Sequence, residues 1–183
     1  TRKLMFLSQA EAVALFPGGF GTMDESFEAL TLVQTGKSSM IPIVLLEGKG
    51  GTYWEEFDAA MRKMLLARGW ISPEDVTLYR IMASPEEAVD HVRRFYRNYH
   101  SSRYVKDDLV IRLQRPLSAA DVDRLSAEYQ VLIRADGGAN GSPPRIVQRG
   151  PFEPEHDHTD LPRLSFPHTR NKFALVRQLI DRI

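Results

Sequence analysis

The chain has no cysteine, no excess of either charge and no long apolar run, and each lack removes a class of protein. Without cysteine there are no disulfides, thiolate nucleophiles, zinc fingers or iron–sulfur clusters. Lys and Arg together number 24, as do Asp and Glu, so the 183 residues carry a formal net charge of +0. Such a chain exerts no diffuse pull on nucleic acid or on an anionic membrane, and any anionic ligand must be held by local groups. The expected partner is a small molecule, with no role for nucleic acid or membrane. No stretch nears the ~20 consecutive apolar residues of a membrane span, and the first twenty residues lack the basic-then-apolar layout of a secretory signal. A cytoplasmic location follows as the expectation. What remains, 43% apolar and 26% charged residues, is the composition of one or two globular domains.

Short apolar runs alternate with helical patterns over the first half. Ala12 to Phe16 reads as a buried strand closed by Pro17-Gly18-Gly19, and a helix is expected from about Met23 to Thr35 with Met23, Phe27 and Leu30 on its inner face. Ile41 to Leu46 reads as a strand covered on both faces, and Trp54 to Arg68 as a helix burying Trp54, Phe57, Met61 and Leu65. A weaker strand, Thr77 to Met82, precedes a helix opened by Ser84-Pro85-Glu86-Glu87, which should bury Ala88, Val92 and Phe95 or Tyr96. This order predicts an α/β layer on a parallel sheet.

The pattern changes near residue 100, which divides the chain into domains 1–99 and 100–183. Val105 to Leu113 reads as one strand after a polar connection, Tyr99 to Ser102. Ser118 to Tyr129 reads as a helix with Val122, Leu125 and Tyr129 inward. Strands are then expected at Gln130 to Arg134, Arg145 to Gln148 and Leu161 to Phe166, and a last helix at Asn171 to Ile183 with Phe173, Val176 and Ile180 inward. The order β-α-β-β-β-α resembles a small α+β module of the ferredoxin or ACT kind.

The chemistry is concentrated in Phe16 to Glu28. A strand that ends in a glycine turn and passes straight into a helix aims free backbone N–H groups, and the positive end of the helix dipole, into the space above the sheet edge. Gly18, Gly19 and Gly21 let the backbone approach an anion with no Cβ between, and the Thr22 hydroxyl can donate to a phosphate oxygen. No Gly-Lys-Ser/Thr follows and the dinucleotide spacing G-x-G-x-x-G is missing, so a nucleoside monophosphate fits better than a dinucleotide. Thr22-x-x-Glu25 is also a capping box, as are Thr52-x-x-Glu55 and Ser84-x-x-Glu87. On spacing alone, Glu25 is open to either role, cap or catalyst.

The string from Pro17 to Glu25, PGGFGTMDE, resembles the PGGxGTxxE signature of the LOG family, which contains cytokinin riboside 5′-monophosphate phosphoribohydrolases and was long mislabelled lysine decarboxylase. Arg2-Lys3 upstream is similar to that family's Arg-Lys element, and Leu30 to Gly36 followed by Pro42 to Leu46 to its next helix and strand; the likeness spans about residues 1 to 98. It implies a Rossmann-like fold and a homodimer; no cofactor and no metal are expected. The implied reaction is hydrolysis of the N-glycosidic bond of a purine or cytokinin nucleoside 5′-monophosphate, giving free base and ribose 5-phosphate. Glu25 would then stabilise the oxocarbenium-like transition state and orient water, Arg2 would hold phosphate or ribose, and Gly18, Gly19, Gly21 and Thr22 would cradle the 5′-phosphate. A first-turn position would keep Glu25 ionised through the helix dipole. Family members begin with further β-α units, so the chain resembles the C-terminal half of a Rossmann-like domain plus an extension, and the Ala12 to Phe16 strand should lack a neighbour on one side.

The alternative is a catalytically silent nucleotide-binding regulatory module, which would need the glycines and Thr22 but not a carboxylate. Amino-acid decarboxylation would require a lysine placed for pyridoxal phosphate, and no motif supplies one. Glu155 to Asp160 holds several potential metal ligands without paired spacing and reads as a solvated loop, and Arg93, Arg94 and Arg97 as an exposed helix face.

Overall fold

The computed structural model describes residues 7–136, 143–153 and 156–183. The chain divides into two units, Thr1–Arg94 and Phe95–Ile183.

In the first, β1 (Val13–Leu15), β2 (Ile43–Leu46) and β3 (Tyr79–Met82) form a parallel sheet in the order β1-β2-β3. Val13 lies opposite Ile43, and Ile43 opposite Tyr79. Parallel neighbours need a crossover, because the chain must return to the end of the sheet where it started. Helix α1 (Phe20–Gln34) supplies the first and α2 (Tyr53–Met64) the second, and α3 (Pro85–Phe95) follows β3. The middle strand is buried at every position, which is why its sequence is an unbroken apolar run. Burying each of Ile43, Val44 and Leu45, all at most 2% exposed, contributes about 1.5–3 kcal/mol. β1 is an edge strand of the described sheet, buried at Val13 and Leu15 but exposed at Ala14. Ala14 shares a face with Val44 and Leu46, where Ala88 of α3 packs, and an open apolar groove of about 330 Å³ runs beside it.

Three local expectations for this unit need correction. α1 begins at Phe20 rather than Met23, because Gly19 takes the N-cap with extended backbone (φ −90°, ψ −151°). Its buried residues are Ser26, Ala29, Leu32 and Val33, while Phe27 is 41% exposed. Small residues let the helix backbone approach the sheet, and the Ser26 hydroxyl is satisfied by donating to the Thr22 carbonyl at 2.6 Å. Third, Thr52 does not cap α2 with its side chain. Instead the Glu47 carboxylate, just past β2, accepts the Tyr53 N–H at 3.2 Å and the Trp54 N–H at 3.1 Å. At Ser84 the side-chain cap forms, with the Ser84 hydroxyl accepting from the Glu87 N–H at 3.2 Å, while the Glu87 carboxylate accepts from the N–H of Ala83, one residue before the cap, at 3.0 Å.

The second unit is an antiparallel sheet of β4 (Tyr99–Val105), β5 (Asp108–Leu113), β6 (Val147–Arg149) and β7 (Arg163–Pro167), in the order β4-β5-β7-β6. The expected single strand Val105 to Leu113 is a hairpin, and the expected polar connection before it is β4 itself. Lys106 takes a positive φ of 55° at the turn, a conformation its residue type does not advertise. Helix α4 (Ala119–Glu128) is capped by Ser118, whose hydroxyl accepts from the Asp121 N–H at 3.1 Å, and it buries Val122 and Leu125 as expected. The segment expected as a strand at Gln130 to Arg134 is mostly a 3-10 turn over Gln130–Leu132, with one isolated bridge from Ile133 to His168. The element order is therefore β-β-α-β-β-α, closed by α5 (Phe173–Asp181). α5 buries Val176 and Ile180 together with Arg177, whose guanidinium lies 4.4 Å above the Phe95 ring and bonds Asp181 at 3.2 Å. His168 is fully buried and paired with the Tyr104 hydroxyl at 2.5 Å; burial pushes its pKa down to about 4, opposed by the Asn171 backbone and reinforced by Arg170.

Candidate active site

Open parallel sheets place ligands beyond the carboxyl ends of their strands, and both glycine-rich junctions of the first unit lie there. After β1 the chain runs Phe16-Pro17-Gly18-Gly19 into α1; after β2 it runs Glu47-Gly48-Lys49-Gly50-Gly51-Thr52 into α2. Gly18 is required by packing within the turn, because the Thr22 side chain occupies the place a Cβ would take. Gly19 and Gly21 are different: among the described residues nothing lies within 4 Å of a Cβ built on either one. Their missing side chains leave open space on the solvent side of the turn.

The first helical bond of α1 runs from the Met23 N–H to the Gly19 carbonyl at 3.2 Å. Helix geometry leaves the N–H groups of Phe20, Gly21 and Thr22 without an acceptor inside the helix, and the N-cap Gly19 has no side chain to cap them. These donors and the positive end of the dipole converge on the open side of Gly19 and Gly21. The arrangement suits an anion with several oxygens.

Gly18, Gly19, Gly21 and Glu25 are exposed and Thr22 is half-buried. With the helix starting at Phe20, Thr22 is the third helical residue and Glu25 the sixth. The capping-box alternative is thereby removed, since Gly19 is the N-cap and α1 has no acidic residue in its first turn. The dipole argument for Glu25 also weakens, because that field falls off beyond the first turn. Glu25 lies three residues after Thr22, a spacing that puts both on one helix face about 5–6 Å apart at Cβ. Arg2 lies outside the described residues. Trp54 is fully buried, stacked edge-on to Tyr53 with ring centroids 4.8 Å apart, and belongs to the core.

The structure adds a connection that the motif alone does not reveal. The Tyr53 hydroxyl, from the first residue of α2, donates to the Gly18 carbonyl at 2.5 Å and ties the two junctions together. A signal for it exists in the sequence: Glu47 to Thr52 repeats the strand, glycine turn, helix layout of the first junction. In the second unit, Asp157 of the loop with candidate metal ligands is engaged by Arg112 at 2.9 Å and Arg103 at 3.3 Å, and Glu155 lies outside the described residues. No helix among the described residues is long and apolar enough to cross a membrane.

A family model described as "Possible lysine decarboxylase" matches residues 1–92, half of the chain, and includes both glycine junctions. No curated protein matches the chain. The match spans the whole parallel sheet and the PGGFGTMDE turn, so the chain belongs to this family, the LOG family, which carries a nucleotide phosphoribohydrolase-type role at the level of the family.

Proposed function

We propose that the protein hydrolyses the N-glycosidic bond of a purine nucleoside 5′-monophosphate, of the adenine type or its N6-prenylated form, at the α1 junction. The observation that carries this reading is the open space over Gly19 and Gly21, which no part of the described chain uses, beside three helix N–H donors without helical acceptors. The 5′-phosphate binds there, with the Thr22 hydroxyl as a further donor. In the reaction, water adds to C1′ of the ribose as the bond from C1′ to the base nitrogen breaks. The bonding pair leaves with the base, which takes up a proton, and ribose 5-phosphate remains. C1′ passes through a cationic, oxocarbenium-like state. Glu25, one turn along the helix from Thr22, supplies a carboxylate that stabilises the cation and orients the water. Arg2 supplies a guanidinium fork for phosphate or ribose. The sheet is read as part of a Rossmann-like domain and the active protein as a homodimer.

Amino-acid decarboxylation finds no support in the described side chains. Pyridoxal phosphate chemistry needs a lysine held inside a pocket, and the lysines among the described residues, Lys37, Lys49, Lys63, Lys106 and Lys172, are all exposed. The test is incubation with AMP, N6-prenylated AMP, GMP and CMP, followed by chromatography for free base and ribose 5-phosphate. Release from the adenine nucleotides is expected. Binding without release from any of the four would favour a nucleotide-binding regulatory module instead.

A further inference from the structure

We propose that Tyr53 is a positioning residue for the phosphate cradle, acting through the peptide bond between Gly18 and Gly19. This rests on the reading of the α1 junction as a phosphate site. A trans peptide is planar, and its C=O and N–H point in opposite directions. The Gly18 carbonyl and the Gly19 N–H belong to one such plane, so whatever fixes the carbonyl also aims the amide. The Tyr53 hydroxyl holds that carbonyl at 2.5 Å. Gly19 N–H therefore points away from Tyr53.

The tether matters because of what it restrains. A peptide between two glycines rotates more freely than any other, and in the flipped orientation it would present a carbonyl oxygen, not an amide, to an anion. Tyr53 is itself fixed from behind. The Glu47 carboxylate receives the N–H groups of Tyr53 and Trp54 at 3.2 and 3.1 Å, and the Tyr53 ring stacks edge-on against the buried Trp54. The chain of contacts runs from the end of β2, through the start of α2, to the turn after β1. Tyr53 touches neither the base nor the scissile bond in this scheme, so its effect belongs in binding of the phosphate and not in the chemical step.

Tyr53→Phe removes the donor and keeps the ring. The variant should bind inorganic phosphate about 5–10-fold more weakly than wild type, the loss expected for one hydrogen bond. It should raise KM for a nucleoside monophosphate by the same factor, leave kcat within about twofold, and leave affinity for the nucleoside without its 5′-phosphate unchanged. Wild-type affinity for phosphate in the variant, or an equal loss for the unphosphorylated nucleoside, would overturn the proposal. A second measurement needs no variant: adding inorganic phosphate to the wild-type protein should slow amide hydrogen exchange in the peptides containing Gly18 to Phe20 and Thr52 to Trp54 together. Protection of the glycine turn alone would also overturn it. Should wild-type protein bind phosphate yet release no base, the hydrolase reading falls and the Tyr53 proposal stands on binding; should it bind no phosphate, both fall.

Discussion

The Thr22 side chain fills the position that a Cβ on Gly18 would occupy, so these two residues are complementary in volume. Gly18→Ala should destabilise the protein by about 1–3 kcal/mol, as overpacking does. Thr22→Ala in the same chain should restore much of that loss. Urea unfolding of both single variants and the double variant gives the coupling directly, and additive effects would refute the packing argument.

Gly21 has the opposite character, being helical with open space where a Cβ would stand. Gly21→Ala should stabilise the protein by about 0.5–1 kcal/mol, because alanine loses less backbone entropy in a helix. The same substitution should weaken phosphate binding, since the methyl group intrudes on the ligand's space. A rise in unfolding midpoint with a fall in phosphate affinity, measured by calorimetry, is the expected pair; unchanged affinity would remove Gly21 from the cradle.

At α2 the cap comes from Glu47 and not from Thr52. Glu47→Ala should cost about 1–2 kcal/mol, a typical loss for an N-terminal cap. Thr52→Ala should cost less than about 0.5 kcal/mol, in the range of surface substitutions. Denaturant unfolding of the two variants distinguishes them, and a larger loss at Thr52 would restore the capping-box assignment.

A segment is readable from its sequence where only one local structure satisfies its residues. The continuous apolar run of β2 and the Ser84 hydroxyl cap each admit one local solution, and both form. The start of α1 admits two, three residues apart. Thr22 and Glu25 fit a capping box, but Gly19 also serves as an N-cap although it has no side chain for pattern rules to find. The β4–β5 hairpin was hidden for a related reason, since Lys106 holds a positive φ where an Asn or Gly would have announced the turn. The PGGFGTMDE string was legible as a motif, and within it Gly18 meets a packing demand from Thr22 whereas no described atom crowds Gly19 or Gly21. The Tyr53 tether joins residues 35 positions apart, and only the folded arrangement brings them together.

His168 gives the second unit a pH dependence. Its folded pKa of about 4 lies below the ordinary 6.5, so the unfolded chain binds the proton more readily between those values. Stability is then full above pH 6.5 and is lost as pH falls toward 4, by about 1.4 kcal/mol per pH unit at most and about 3 kcal/mol across the window. Urea unfolding at pH 7.5 and pH 5, with His168→Asn for comparison, checks this; a variant with the wild-type slope would assign the dependence elsewhere.

The role proposed for Glu25 is chemistry beside a phosphate-binding turn. Single-turnover release of adenine from AMP by wild type and by Glu25→Gln tests it most directly, with phosphate affinity measured on the same samples. The expected result is loss of turnover by about 10²-fold or more, as for removal of a group that stabilises a transition state, with phosphate affinity within about twofold of wild type. A Glu25→Gln protein that cleaves AMP at the wild-type rate would contradict that role.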